Sequence, residues 1–503
     1  MGVDYILFKT VNENNYLYSY NNNQIVFLHP IMHFLLNLNK RNIEINKWVK
    51  KNVKRIYEIK NVGKFTKSDF EYYLKKIDFY LDNGYLKDYN IQNTQRYNAD
   101  NIKFQLANTN QVSFEVTDSC NLKCEYCVYG EYYVNRDKPM NINLNSEIAK
   151  KTLVYLVNLW NSSLNRSHKK MIAIGFYGGE ALLNMDFIID IVNYSKKITL
   201  KHSYFSYHMT TNGVLLDKYI DFLVENDFNI SISLDGGLES NNKYRKFPNQ
   251  QSAFKVIYKN ILLIQNKYPE YFKRRIGFIS VLHNQNSEKE IYNFFNYKFD
   301  KTPLVLNLDT DSINPDLIDE FKKMQQTDMD SISDIRFNKF KKTHVVGNVV
   351  DFTNFVFTYS GYVKNNYLGL LSNKRESKLP TGTCETFSRK IFITARGKIL
   401  PCERIGHQFK VGSVNEKDIQ LNFEKIANQY NGYFDKIDQL CNKCFLKNSC
   451  GVCMFKQKIE SKDVYCNSFK DYGKMVNLFS INLSYAEQNN EMYYRILNKV
   501  NYE

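Results

Sequence analysis

No run of apolar residues in the 503-residue chain approaches the ~18 that a membrane span needs. The start, Met1-Gly-Val-Asp-Tyr-Ile-Leu-Phe-Lys9, has no basic stretch followed by an apolar one, so it does not read as a secretion signal. Ile6 breaks the pattern for N-myristoylation. These absences predict a cytoplasmic protein with no membrane partner. No nucleic-acid-binding motif accompanies the net charge of +16, so no nucleic-acid partner is expected. The excess lysine reads as a solvated surface that can attract acidic partners, such as a peptide or a small electron carrier. Cysteine is absent between Cys127 and Cys384. The ten cysteines fall into two groups, three at 120–127 and seven at 384–466. Without a secretion signal this usage argues against disulfides and for metal.

The first group is Cys120-Asn-Leu-Lys-Cys124-Glu-Tyr126-Cys127, just after the alternating run Val112–Thr117. Three thiolates hold three irons of a four-iron cube and leave the fourth open to a small molecule. A zinc knuckle would need a fourth Cys or His close by, and none follows before His168. The spacing and the aromatic Tyr126 resemble the signature of the radical S-adenosylmethionine (SAM) superfamily. The resemblance implies a 4Fe–4S cluster on Cys120, Cys124 and Cys127, SAM bound at its open iron, and Tyr126 near the adenine.

From residue 111 strands and helices alternate. Strands are expected at Gln111–Thr117, Met171–Phe176, Tyr204–Thr210, Asn229–Leu234, Arg275–Leu282 and Pro303–Leu308. Helices fit at 145–161, 185–198, 215–226, 250–267 and 286–297. Six such units predict parallel strands with right-handed crossovers. The fold class is α/β, and six units suit the partial (β/α)6 TIM-like barrel of this superfamily better than a closed eightfold one. Ligand-binding residues then belong at the C-terminal strand ends. Four candidates sit there. Tyr177-Gly178-Gly179-Glu180 is similar to the family motif for the SAM amino group, with Gly178 and Gly179 allowing close backbone approach. Thr210-Thr211-Asn212-Gly213 fits either a turn or a ligand contact at Asn212. Ser231-Ile-Ser233-Leu-Asp235-Gly236, with Arg245 twelve residues after Ser233, resembles a family stretch in which Ser233 and Asp235 suit ribose or substrate and Arg245 a carboxylate. His283 reads as structural. No catalytic side chain can be named.

The second group is Cys384, Gly397, Cys402, then Cys441-x2-Cys444-x5-Cys450-x2-Cys453, and Cys466. It resembles the seven-cysteine SPASM extension, which holds two auxiliary clusters, although the gap before Cys453 is two residues where three is usual. The resemblance implies one cluster on Cys441, Cys444, Cys450 and Cys466. It implies another on Cys384, Cys402 and Cys453, with no fourth cysteine and Glu385 or Glu403 nearby. That makes three 4Fe–4S clusters. A zinc ribbon at 441–453 would leave Cys384, Cys402 and Cys466 unexplained.

Ahead of the barrel, residues 1–30 alternate as three strands: Tyr5–Thr10, Asn15–Tyr20 and Gln24–Leu28. Helices are expected at Pro30–Leu38, at Ile45–Ile59 with Trp48, Val49, Val53 and Ile56 on one face, and from Thr66 to Asn83-Gly84. This resembles the winged-helix-like recognition module of maturases of ribosomally made peptides, where a leader peptide adds to the sheet edge against the third helix. Residues 86–108 read as linker. The expected organisation is a recognition module and linker at 1–105, the barrel at 106–310, a bridge at 311–380 with helices at Asn314–Lys323 and Asp351–Val363, the auxiliary-cluster domain at 381–470 and a helical tail at 471–503. As a whole the chain resembles a radical SAM/SPASM peptide maturase. That implies a precursor peptide and a flavodoxin- or ferredoxin-type electron donor as partners, with a 5′-deoxyadenosyl radical taking hydrogen from the peptide. Three plus seven cysteines leave none spare, so a thioether or carbon–carbon cross-link ranks ahead of epimerisation. Anaerobic sulfatase maturation by formylglycine formation is the alternative, and a non-catalytic iron–sulfur protein is a third reading.

Overall fold

The computed structural model describes residues 5–20, 22, 24–41, 43–86, 96–167, 170–325, 355–356, 358–359, 381–447, 450–461 and 464–491. The first element is an antiparallel sheet of β1 (Tyr5–Lys9), β2 (Asn15–Ser19) and β3 (Gln24–Leu28), with β2 central. Both of its faces are apolar. Tyr5, Leu7, Leu17 and Leu28 pack against helices α1 (Pro30–Lys40), α2 (Ile45–Asn52) and α3 (Lys67–Asp82). Ile6, Phe8 and Tyr18 point the other way, which strand alternation requires.

The helix expected over Ile45–Ile59 stops at Asn52. Val53 turns extended (φ −102, ψ 92), and Ile56–Ile59 forms β4, paired antiparallel with β5 (Gly63–Thr66). Asn61, at φ +62, makes the tight turn. The β-branched and aromatic residues at 53–59 favour an extended chain. Ile56, expected on a buried face, is therefore 59% exposed. Helix α3 begins as expected: Thr66 accepts from the Asp69 N–H, and the Asp69 carboxylate accepts from the Thr66 N–H and hydroxyl.

The stretch expected as linker contains α4 (Ala99–Ala107), opened by a reciprocal Asn98/Asn101 cap; residues 87–95 lie outside the described ones. The barrel follows. Strands β6 (Gln111–Thr117), β7 (Lys170–Gly178), β8 (Ser203–Thr211), β9 (Asn229–Ser233), β10 (Ile276–Leu282) and β11 (Leu304–Asn307) lie side by side in chain order, every neighbouring pair parallel. Each sequence-expected strand is present within three residues at either end. Helices α5 (Ser146–Trp160), α6 (Met185–Ser195), α7 (Leu216–Glu225), α9 (Phe254–Lys267) and α11 (Glu288–Phe299) cover the outside, with shorter α8 (Leu238–Tyr244) and α10 (Pro269–Arg275) flanking α9. Helix α5 shows why: Ala149, Thr152, Leu153, Leu156 and Trp160 recur at helical spacing and are all buried against the sheet.

The sheet does not end at β6. Strand β12 (Ile391–Ile393) pairs parallel with β6, and β13 (Lys398–Leu400), β14 (Gly412–Val414) and β15 (Ile419–Gln420) continue it antiparallel. Gly397, at φ +73, makes the β12–β13 turn; an added Cβ would lie 2.1 Å from the Val414 carbonyl oxygen. A long helix, Phe423–Cys441, leads into the last cysteines, and the tail helix is Tyr472–Gln488. The expected helix after Asn314 is α12 (Ile318–Met324) behind a short 3-10 turn; most of the expected Asp351–Val363 helix and the end of the tail lie outside the described residues. No helix among the described residues is long and apolar enough to cross a membrane.

Removing the Thr66 hydroxyl strips one member of the α3 cap. Thr66→Ala should lower the free energy of opening of α3 by about 1 kcal/mol, measured as faster amide hydrogen exchange in the first turn of that helix.

Candidate active site

The cysteine loop leaves the C-terminal end of β6 and is held from two sides. Asp118 accepts from the N–H groups of Met140 (3.0 Å) and Ile142 (2.7 Å), which closes the far end of the loop. On the other side the Lys123 and Glu125 N–H groups donate to the carbonyls of Lys246 (2.8 Å) and Tyr244 (3.0 Å). The Arg245 segment is thus laid along the cysteines. Cys120 is exposed, while Cys124 and Cys127 are half-buried. Burial pushes the Cys124 thiol up to about 12, and it raises Cys127 as well. The three sulfurs are close enough for Cys124 to feel the charges of Cys120 and Cys127.

Gly178 and Gly179 carry β7 past this loop. Their N-terminal neighbour strand is so near that a Cβ on Gly178 would lie 2.2 Å from the Thr117 carbonyl oxygen, and one on Gly179 2.1 Å from that of Ser119. Gly178 also needs φ +139. Close approach was expected here, toward a ligand; the structure shows the glycines close against the protein's own backbone. Gly179 and Glu180 then donate to the Thr117 and Ser119 carbonyls, both at 2.9 Å. Glu180 is 1% exposed. Its carboxylate accepts from Thr211 Oγ1 (2.7 Å), the Asn212 N–H (2.7 Å) and the Leu182 N–H (3.1 Å). Burial nevertheless pushes its carboxyl above the ordinary value. Asn212 reaches back to the loop, donating to Asn121 Oδ1 (2.7 Å) and, more weakly, to Cys120 Sγ (3.8 Å). The turn reading is met, with Gly213 at φ +81, and Asn212 holds the cysteine loop.

Tyr126, Asp235 and Arg245 come together in one buried triad. The Tyr126 hydroxyl donates to Asp235 Oδ2 and accepts from Arg245 Nη2 at 2.8 Å. Arg245 and Asp235 stand 3.6 Å apart, and the guanidinium lies 5.8 Å from the Tyr126 ring centre. Asp235 is 0% exposed and also accepts from the Val281 N–H. Within the chain, the carboxylate beside Arg245 is that of Asp235. Arg245 Nε is buried with no hydrogen-bond partner among the described residues. Ser233, by contrast, opens into the barrel lumen, together with Tyr177, Thr210 and Ser231. His283 is buried against Asn286 and stacks on Tyr126, as a structural histidine does.

The seven later cysteines gather into two sets. Cys441, Cys444, Cys450 and Cys466 line one small cavity, walled otherwise by side chains such as Ile437, Leu440, Val452 and Met454. Burial and the neighbouring thiols push Cys441 up to about 12. Cys453 lies near Cys384 and Cys402. Gly382 makes this possible: a Cβ there would lie 2.3 Å from the Cys450 carbonyl oxygen, and Thr383 Oγ1 accepts from the Met454 N–H at 2.7 Å. Neither residue stood out in the sequence, because a lone glycine and a threonine carry no periodic signal. Glu403, next to Cys402, faces its sulfur at 3.7 Å and is paired with Lys390 at 3.0 Å; both line the barrel lumen. Glu385 is engaged instead by Gln105.

Among the described residues no group of three or more His, Cys, Asp or Glu side chains is set to hold a metal ion. An iron–sulfur cluster makes a different demand, one thiolate to each iron around a cube. All ten cysteines are free thiols. Burial raises seven of them, Cys120, Cys124, Cys127, Cys402, Cys441, Cys453 and Cys466, above the ordinary thiol value, and bound iron would supply the positive charge that draws off their protons. The donor set fits the cluster.

The Radical SAM superfamily model matches residues 114–295. Those residues are a radical SAM domain. The domain spans the cysteine loop, the two glycines and the Tyr126 triad just described. A cysteine-type anaerobic sulfatase-maturating enzyme of Clostridium novyi is 25% identical over 374 residues, covering 71% of this chain and 92% of that protein. The radical SAM cyclopropyl synthase TigE of Paramaledivibacter caminithermalis is 21% identical over 397 residues, covering 76% of this chain and 75% of that protein. Among solved structures, native anSMEcpe with bound AdoMet and the Cp18Cys peptide shares the fold, with a TM-score of 0.51 and 18% identity over 77% of this chain and 99% of that one. The chain thus carries a radical SAM domain, and over most of its length it is similar to sulfatase-maturating enzymes. The radical SAM superfamily matched by that domain binds SAM and a 4Fe–4S cluster.

Taking away the Arg245 cation leaves the buried Asp235 carboxyl without its ionic partner. Arg245→Met should lower the stability of the metal-free protein by about 3–5 kcal/mol, measured by urea denaturation, and Asp235→Asn in the same chain should recover most of the loss.

Proposed function

We propose that this radical SAM enzyme is a peptide maturase of the SPASM type, which installs a thioether or carbon–carbon cross-link in a ribosomally made precursor. The observation that carries the reading is how the fold gathers the cysteines. They form a three-thiol set, a four-thiol set and a second three-thiol set, with none left over. Cys120, Cys124 and Cys127 hold the cluster at which SAM binds. Tyr126 lies beside the adenine, Gly178, Gly179 and Glu180 at the amino group, and Asn212, Ser233, Asp235 and Arg245 at the ribose and carboxylate. When bound, cluster and SAM supply one-electron cleavage of the sulfonium and abstraction of a hydrogen atom from the peptide. Cys441, Cys444, Cys450 and Cys466 hold one auxiliary cluster, and Cys384, Cys402 and Cys453 another, making three. The last set stands at the barrel lumen beside Glu403 and Lys390, where a peptide side chain enters.

The N-terminal module supplies the second support. Strand β3 is an edge whose outer side has no ladder partner among the described residues, and its Phe27 is 61% exposed. Beside it, Tyr73 stacks on His29 at 4.3 Å and Tyr85 donates to Gln24 at 3.0 Å, which ties α3 to the edge. An extended leader adding to β3 would find main-chain partners on one side and this aromatic wall on the other. Exposed Lys50, Lys51, Lys54 and Arg55 on the same module favour an acidic leader. The same attraction suits a flavodoxin- or ferredoxin-type donor, and the chain is placed in the cytoplasm, where such donors work.

Sulfatase maturation stands as a second reading, favoured by the sulfatase-maturating relatives. The two separate by product. Cross-linking removes two hydrogen atoms and keeps every sulfur; formylglycine formation from cysteine removes the sulfur. The experiment is mass spectrometry of any short peptide that an open reading frame beside this gene encodes, and of a sulfatase-motif peptide, after anaerobic incubation with reduced enzyme and SAM. Loss of sulfur from the sulfatase peptide alone would overturn the maturase reading.

Reconstituted protein should carry about 12 irons per chain. Changing Cys120, Cys124 and Cys127 together to Ala should remove about four of them and all formation of 5′-deoxyadenosine, measured by iron assay and chromatography. Binding of the adjacent-gene peptide, followed by fluorescence anisotropy, should weaken steadily as salt is raised beyond about 0.15 M.

A further inference from the structure

The N-terminal sheet is bound to the far end of the chain. Its second apolar face, Ile6, Phe8 and Tyr18, packs on Met475, Phe479 and Tyr485 of the tail helix. Around the rim, Glu487 accepts from Thr10 Oγ1 (3.0 Å), Asn12 Nδ2 (2.9 Å), Asn14 Nδ2 (2.9 Å) and the Tyr16 hydroxyl (2.8 Å). The outer edge of β1 is closed by the same helix. Tyr472 donates to the Leu7 carbonyl at 3.2 Å and Ser480 to that of Lys9 at 2.6 Å. Lys40 donates to Tyr472 at 2.8 Å and lies 5.2 and 4.7 Å from the ring centres of Tyr5 and Tyr472.

This packing runs on to the four-cysteine cavity. Tyr20, just past β2, has its ring 5.6 Å from that of Phe445, which follows Cys444 in sequence. Phe445 in turn lies 5.7 Å from Tyr472, and its N–H donates to the Lys470 carbonyl at 2.9 Å. The Lys470 N–H points at Cys444 Sγ from 3.5 Å. Burial raises the Tyr20 hydroxyl, and Cys444 is among the groups whose charge it feels.

We propose that the N-terminal sheet and the tail helix form a cap over the Cys441/Cys444/Cys450/Cys466 site, with Tyr20 and Phe445 as the seam. The module then has a role apart from any peptide it binds: it closes the site to water and oxygen. A chain that loses the module loses more than a recognition element, since it uncovers Phe479, Met475 and Phe445 at once. The purpose of the cap rests on reading these cysteines as cluster ligands, but closure itself can be read on the bare thiols.

The test uses the full chain, metal-free and reduced, treated with iodoacetamide and followed at each cysteine by mass spectrometry. Glu487→Gln loosens the rim, and Tyr20→Ala opens the seam. Each should speed labelling of Cys441, Cys444, Cys450 and Cys466 by about tenfold, as expected when local opening becomes easier by that factor. Labelling at Cys120, Cys124 and Cys127 should not change. Unchanged labelling of the four in both variants overturns the cap, and so does an equal rise at all ten, which marks general unfolding. In iron-loaded protein the same variants should lose visible absorbance faster in air. If wild-type protein takes up no iron at the four cysteines, the cluster reading fails while the thiol labelling still decides the cap.

Discussion

Where Gly178 and Gly179 pass Thr117 and Ser119, two backbones lie too close for a single added carbon. The rest of the site is built outward from that contact. It extends the β6–β7 ladder beyond both strands, so the first residues of the cysteine loop are held like sheet rather than loop. It delivers Glu180 into the interior, where three donors hold its carboxylate. Two of those donors are Thr211, the last residue of β8, and Asn212, which follows it and closes the circuit on Asn121. Three neighbouring strands thereby fix one loop. On the proposed cluster reading the loop presents three sulfurs to a rigid cube and needs this kind of support, because a shift of one ångström at a ligand is a large fraction of an iron–sulfur bond.

Buried polar groups join the barrel to the cysteine-rich domain as well. Glu115 points inward from β6, accepts from the Tyr129 hydroxyl at 2.5 Å and from the Ala395 N–H at 2.7 Å, and so links the cysteine loop, the barrel and the β12–β13 turn. Burial raises its carboxyl above the ordinary value. Asp137 accepts from Lys398 at 2.7 Å and faces His407 at 3.0 Å, repeating the link from the other side. Satisfied networks of this sort specify one arrangement of parts more sharply than apolar contact does.

The barrel was almost wholly legible in the sequence, because strand alternation and helical spacing are local and strong at β6–β11. The cysteine groups were legible because their spacing is itself the signal. What stayed hidden depends on contacts distant in sequence. Val53–Ile59 reads equally well as the end of an amphipathic helix, and only the Asn61 turn decides for a hairpin. Asp235 and Arg245 read as two ligand contacts; that they meet Tyr126 and each other follows from the pairing of Lys123 and Glu125 with residues 244–246, which no local pattern announces. The two-faced burial of β1 shows as a run of apolar residues but not as an address for the second face. Gly382 and Thr383 look like ordinary loop residues until Cys450 and Met454 are laid beside them.

Strand β12 is hydrogen-bonded directly to β6, the strand from which the first cysteines spring. A ladder bond leaves no hinge at that join. The spacing between the two cysteine groups is consequently set when the sheet forms, and on the proposed cluster reading electron tunnelling between them would proceed at a rate determined by folding rather than by any later domain movement.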